Sequence, residues 1–425
     1  MAFLWRLLCR KKTFKNVNSK KIITQIEIVM GRILLYVQNS GQLLNIRLLL
    51  EDLKKHNYSV TVYDTRKIYY QSINYEGFSD IYPNTIDLGK SFYRCSLLER
   101  VKGVWNARRA LQPIVNSFDM LVVAADGAFE RVLIRAFQKE QKRTTMIIDG
   151  VISDYSLSFV DVIMHPSYLK SDIVSKVKSC IFYVFKSTAI SPFLPSQIGM
   201  MPIDKIMVIG EHSKKCIEKI NHHSEIIASG MPRLYNQHIN RTFLKNTGPY
   251  YICYFPSAFK WHHNIGDDAR QHADILSVCE IISDIRDGEK CDIRLIIKMH
   301  PRERLSDYQL YVDKFDFVKI ESDISITDCF EKYDLFLSNI STVIIEGLIN
   351  RIQVYSIMIN FEYWRFNKSF LASDEIKKIF SKMELYEIIM ACSKGNDCFS
   401  IDASDNSSLF ERNCSPSEVV NKILQ

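Results

Sequence analysis

Two short apolar strands, each running straight into a polar loop, constrain this chain more than any other feature. The first is C-D-I-R-L-I-I-K-M-H-P-R, starting at Cys291; the second lies in K-Y-D-L-F-L-S-N-I-S-T-V-I-I-E-G-L, starting at Lys332. Strands this apolar are buried on both faces, as in a parallel sheet covered by helices. Pro301 forbids continuation of the first as a ladder strand, so it ends in Lys298, His300, Pro301 and Arg302. In the second, Leu335 to Leu337 form the strand, Ser338-Asn339 a turn, and Ser341-Thr342 a cap pair opening a helix over Val343 to Ile349. Both loops are therefore expected at the carboxyl edge of one sheet, where open α/β folds bind ligands. A basic cluster beside a helix start suits a phosphate, because the helix end offers unpaired N–H donors and the positive end of a dipole.

The same alternation recurs upstream. From Gly31, R-I-L-L-Y-V reads as a strand, Q-N-S-G-Q as a loop, N-I-R-L-L-L-E-D-L-K-K-H as an amphipathic helix and Y-S-V-T-V-Y-D as the next strand. This is the β-α-β opening of a doubly wound sheet. Its loop, with Asn39 and Ser40, carries one glycine and does not match the G-x-G-x-x-G dinucleotide fingerprint, so no nicotinamide or flavin cofactor is expected. Strands over Met120 to Ala125 and Thr144 to Asp149 each end in Asp-Gly, at Asp126-Gly127 and Asp149-Gly150, with a helix from Phe129 to Lys142 between them. A carboxylate at a parallel strand's end, followed by a glycine that permits close approach, suits a ligand edge, although Asp-Gly is also an ordinary turn. Asp149 is preferred as the functional acid because its strand is the more apolar and hence expected to be the more central; Asp126 is its competitor. The strand near Asp204 to Ser213 reads as the last unit of the first half.

The chain has 425 residues, too many for one ordinary core. The divisions predicted are a basic extension over 1–29, a Rossmann-like domain over 30–235 and a second over 249–425. Residues 1–29 hold seven basic side chains against Glu27, a surplus of +6 out of the chain's net +7. The near-neutral remainder argues against a nucleic-acid surface. Within 1–29, Phe3, Leu4 and Trp5 beside the basic tract read either as an anchor on an anionic inner membrane face or as a disordered extension. No secretory leader is evident there. The eleven cysteines form no C-x-x-C pair, a pattern of buried free thiols in a reducing, cytoplasmic compartment. His262 and His263 have no third ligand spaced to join them, so no metal site is predicted.

Two Rossmann-like halves, with Ile148-Asp149-Gly150 in the first and His300-Pro301 and Ser341-Thr342 in the second, resemble the GT-B glycosyltransferases of bacterial surface polysaccharide synthesis. The pattern is similar to that of sialyl- and polysialyltransferases, with a related layout in capsule Kdo transferases and CDP-glycerol polyol-phosphate transferases. Those sialyltransferases usually carry a second acid where this chain has Ile148. The resemblance implies an α/β GT-B fold and metal-independent, inverting transfer of a sugar, with sialic acid from CMP-sialic acid among the donors, to a glycan or lipid-linked glycan. It implies Asp149 as general base, His300 as hydrogen-bond partner of the donor phosphate, and Ser341 and Thr342 as its further ligands. Added from the residues themselves are Lys298 and Arg302 as charges near that phosphate, and Glu346, one turn into the helix, as acceptor for a ribose hydroxyl or else a solvent-facing acid. Asn39, Ser40 and Gly150 fall on the acceptor side. A nucleotide-sugar 2-epimerase, a polyol-phosphate transferase and a non-catalytic glycan-binding protein are the alternatives.

Overall fold

A computed structural model describes residues 31–38, 40–64, 84–86, 97–148, 150–152, 173, 177, 198–235, 248–259, 265–300, 303–362, 366, 369–394, 407–411 and 414–425. The first half contributes β1 (Gly31–Val37), α1 (Ser40–Lys55), β2 (Tyr58–Asp64), β3 (Asn84–Thr85), α2 (Leu97–Asn116), β4 (Met120–Val123), α3 (Ala128–Lys139), β5 (Arg143–Ile147), β6 (Lys205–Val208), α4 (Glu211–Glu218) and β7 (Glu225–Ala228). The second half contributes β8 (Tyr250–Phe255), α5 (Ile265–Glu289), β9 (Ile293–Lys298), α6 (Gln309–Lys314), β10 (Val318–Glu321), α7 (Ile326–Lys332), β11 (Leu335–Ser338), α8 (Val343–Ile349), β12 (Val354–Ile357), β13 (Lys378–Ile379), α9 (Lys382–Ser393) and α10 (Pro416–Leu424).

Two all-parallel sheets result, ordered β3-β2-β1-β4-β5-β6-β7 and β10-β9-β8-β11-β12-β13. The strand order reverses between β1 and β4 in the first and between β8 and β11 in the second, and such reversals open a crevice at the carboxyl ends. Every residue of β4 and of β11 is buried, which is why Met120 to Val123 and Leu335 to Leu337 read as unbroken apolar runs.

Three features depart from the sequence reading. The first sheet has two strands more than expected, β3 and β7, and its central strand is β4, which precedes Asp126, rather than β5. Helix α1 begins at Ser40, so Ser40 is part of the helix and not of the loop; the Gln42 side chain accepts the Gln38 N–H at 2.7 Å across this start. Six described cysteines are free thiols, but Cys392 is disulfide-bonded, which the scattered spacing did not signal.

The halves share apolar packing. Ile209, Met231, Leu234, Leu409 and Phe410 join the cluster built on Phe336, Val343 and Ile345 of the second sheet, with Val151 against it. The chain then returns to the first half: Glu411 N–H donates to the Ile209 carbonyl at 2.7 Å, and Arg143 donates to the Ile423 and Leu424 carbonyls of α10 at 2.9 and 2.7 Å. Gly210 permits this crossing, because a Cβ there would lie 2.5 Å from the Leu409 and Phe410 backbone. Among the described residues, no helix is long and apolar enough to cross a membrane.

Candidate functional site

The second sheet brings its polar loops together at the β8–β11 reversal. Strand β9 lies beside β8 and delivers Lys298, Met299 and His300 to that edge. The Lys298 side chain is buried, and its ammonium donates to the Ser322 carbonyl at 2.8 Å and the Met299 carbonyl at 3.2 Å. These bonds tie the β9 and β10 ends together. His300 is half-buried in a closed turn: its N–H donates to Glu303 Oε2 at 3.3 Å, and the Glu303 N–H donates back to the His300 carbonyl at 2.9 Å. Pro301 and Arg302 lie outside the described residues.

Strand β11 ends in Ser338 and Asn339, both fully buried. Asn339 donates to Asp274 Oδ2 at 2.7 Å and to the Ile357 carbonyl at 2.8 Å, and accepts the Tyr254 hydroxyl. Ser257 Oγ donates to the Ile340 carbonyl at 2.7 Å. Buried side chains therefore hold the loop from below, leaving Ser341 half-buried and Thr342 exposed at the start of α8. Ser341 Oγ accepts the Val343 N–H at 3.4 Å, while the Thr342 side chain makes no capping bond.

From the first sheet, the loop after β5 reaches this point. Gly150 is buried with φ of +132°, a backbone that L side chains rarely adopt, and a Cβ placed on it would stand 3.6 Å from Thr342 Cγ2. Gly150 of the acidic-Gly motif and Thr342 of the Ser/Thr motif thus face each other across the crevice. Asp149 and Asn39 lie outside the described residues. Asp126 has a different setting. It is buried, and its Oδ2 accepts the Gly199 and Met201 N–H groups at 3.2 and 3.1 Å; burial pushes its carboxyl up, with Arg131 and those N–H groups opposing. Its capacity goes into holding the 199–201 turn.

Glu346 is buried rather than solvent-facing, and its Oε1 pairs with the Arg233 guanidinium at 2.9 Å. Arg233 follows β7, and its own N–H donates to Asn45 Oδ1 on α1 at 3.1 Å. One residue therefore connects α1 of the first half to α8 of the second. Arg233, Glu303, Gln271, Asp274 and Asn339 escaped the sequence reading. Each is a polar residue made structural by a partner that local spacing does not mark. Only the buried Ser-Asn ending of β11 offered a hint, and it reads as a turn.

No family model matches the chain, and no curated protein matches it in sequence. Solved structures do match along nearly its whole length. A UDP-GlcNAc 2-epimerase from Neisseria meningitidis bound to UDP-GlcNAc superposes with a TM-score of 0.55 at 14% identity, covering 92% of this chain and 99% of that one. The UDP-GlcNAc 2-epimerase from Methanocaldococcus jannaschii gives 0.54 at 14% identity, over 92% and 99%. A glycotransferase of kitacinnamycin gives 0.50 at 10% identity, over 93% and 98%. With the sheet order and the facing loops, this likeness defines the class by fold: the chain is an α/β protein of GT-B architecture.

Proposed function

We propose that the chain is a nucleotide-sugar-dependent glycosyltransferase acting with inversion on a glycan or lipid-linked glycan of a bacterial surface polysaccharide. The observation that carries this reading is the approach of Gly150 to Thr342, whose methyl would stand 3.6 Å from a Cβ added to the glycine, with His300 at the same sheet edge. In the proposed arrangement His300, Ser341 and Thr342 take the donor phosphate, with the charges of Lys298 and Arg302 behind them. Positive and hydrogen-bonding groups fixed in advance favour the leaving nucleotide most as its charge develops. Asp149 takes the proton of the acceptor hydroxyl as it attacks the anomeric carbon. Glu346, held by Arg233, accepts a ribose hydroxyl through its remaining lone pairs. Asn39 and Ser40 line the acceptor side. The basic segment 1–29 is proposed to rest on an anionic inner membrane face.

A second reading, a nucleotide-sugar 2-epimerase, is favoured by the full-length likeness to epimerases. It uses the same donor pocket but no acceptor. The first test is thermal stabilisation of the purified chain by UDP, CDP, CMP and GDP. A ligand at a hundred times its dissociation constant adds about 2.7 kcal/mol. With the cognate sugar nucleotide, transfer requires an added glycan and extends it, whereas epimerisation releases a 2-epimer without one; mass analysis also separates transfer of a polyol phosphate. His300→Ala is expected to abolish turnover. Asp149→Asn is expected to keep donor affinity and lower transfer by roughly two to four orders of magnitude. Cellular glycan left unchanged by His300→Ala would favour a glycan-binding protein without catalysis.

A further inference from the structure

Beneath the second sheet's edge, one unbroken set of hydrogen bonds joins the loops after β9, β8 and β11. It starts at Glu303, whose Oε2 accepts the His300 N–H at 3.3 Å and whose Oε1 accepts the Tyr308 hydroxyl at 2.7 Å. Tyr308 is fully buried and receives the Gln271 amide at 3.4 Å. Gln271, also fully buried, accepts the Ser257 N–H at 2.6 Å and donates to the Ser257 carbonyl at 3.2 Å. Ser257 in turn donates to the Ile340 carbonyl, the residue before Ser341-Thr342.

We propose that Glu303 is a positioning residue for the donor site described above: through Tyr308, Gln271 and Ser257 it sets the His300 turn against the Ser341-Thr342 loop. The inference rests on the nucleotide-sugar reading for its ligand, and on the hydrogen bonds alone for its geometry. Both partners of the Glu303 carboxyl are donors, an O–H and an N–H. The carboxylate accepts from both at once; in a carboxylic acid or an amide one position becomes a donor, so either the Tyr308 hydroxyl must turn from donor to acceptor or the His300 N–H loses its partner. Glu303→Gln therefore imitates the protonated side chain at nearly constant volume.

Glu303 changes form near neutrality. Burial pushes its carboxyl up to about 7; the Tyr308 and His300 hydrogen bonds oppose this, and Asp268 and Asp307 add to it. Among the described residues, the other titratable groups around it include Tyr254 on β8 and His272 on α5, whose ring lies 5.4 Å from that of Tyr308 and whose Nε2 is 3.9 Å from Asp268. Acidification thus releases the His300 turn. The sign is diagnostic, because a histidine that gains charge as pH falls tightens its hold on an anion, while loss of this positioning weakens it.

The experiment uses the full chain labelled with 15N-histidine, without ligand and then with UDP, CDP, CMP or GDP, from about pH 5.5 to about pH 8.5, a window that brackets the histidine and carboxyl titrations. Without ligand, the His300 amide resonance is expected to show a titration step with a midpoint of about 7 in the wild type that is missing in Glu303→Gln, where only the step shared with the ring resonances of the same histidine remains. In Tyr308→Phe, which keeps the carboxyl but removes a bond favouring its charged form, the midpoint moves to higher pH. With the nucleotide that binds, the dissociation constant is expected to rise about tenfold from about pH 8 to about pH 6 in the wild type, the size of losing one charge-assisted hydrogen bond. Glu303→Gln is expected to show the weaker value at both pH values. A wild-type His300 amide that does not titrate, or a Glu303→Gln variant that keeps the wild-type pH dependence, overturns the inference. If Glu303→Gln fails to fold, the Tyr308→Phe midpoint decides: an unchanged value overturns it. Absence of binding by all four nucleotides at every pH overturns the donor reading instead, and the ligand-free titration still decides whether Glu303 sets the turn.

Discussion

The carboxyl edges of the two sheets are built from similar strands but use their polar residues differently. At the second edge, Glu303, Tyr308, Gln271 and Ser257 bond side chain to side chain and side chain to loop, so three loops are joined. At the first edge, Asp126 is turned inward on the Gly199 and Met201 amides, within its own half. Among the described residues, Gly150 and Arg233 of the first half meet Thr342 and Glu346 at the start of α8 in the second half. One edge is preassembled, and the other acquires its shape by leaning on it. A phosphate gains most from groups that need no reorganisation, which fits a donor pocket on the second edge.

Four measurements break or sharpen that contrast. Asp126→Ala leaves two buried N–H groups without an acceptor and is expected to cost about 4 kcal/mol in urea unfolding, while the folded fraction keeps its nucleotide affinity. A catalytic loss without a stability loss would make Asp126 a site residue after all. Arg233→Ala strands a buried Glu346 and is expected to cost about 3 kcal/mol. In a double-mutant cycle with Glu346→Ala, the coupling should exceed about 1 kcal/mol; additivity would mean the halves are not joined there. Gly210→Ala drives a Cβ to 2.5 Å from the Leu409 and Phe410 backbone. The overpacking is expected to cost about 2 kcal/mol, with limited proteolysis then cutting near 407–411.

The smallest effect is one of pH. Burial raises Asp274 to about 6 from its ordinary 3.8, against its bonds to Asn360 and Asn339, and raises Glu303 to about 7 from 4.5. Both carboxyls hold their protons more tightly folded than unfolded. Their contribution to stability is therefore fully present below the unfolded values, falls as pH rises through the window between unfolded and folded values, and is flat above about 7. Urea midpoints across that window should fall less with pH in Asp274→Asn and Glu303→Gln than in the wild type. A parallel shift in all three would place the pH response elsewhere.

Much of the scaffold is legible in the sequence because burial on both faces writes itself as an apolar run. Leu335 to Leu337, Leu295 to Ile297 and Ile33 to Val37 are such runs, and each lies in a strand. The short edge strands β3 and β10 carry too little apolar signal to be seen, and the same holds for β7. The choice between two Asp-Gly turns rests on which strand is more central, and that is a matter of sheet order; β4 holds the middle.

The sequence by itself determined the α/β class, the two halves, and the loops that end at Gly150, His300 and Thr342, because period, proline and capping residues act within a few positions of themselves. Tertiary structure alone decided that Gly150 meets Thr342, that Glu346 pairs with Arg233, and that Glu303 reaches Ser257 through two buried side chains. Hydrogen bonds and ion pairs act over about 3 Å. Which groups come within that reach is set by how whole sheets pack, and no stretch of residues encodes it alone.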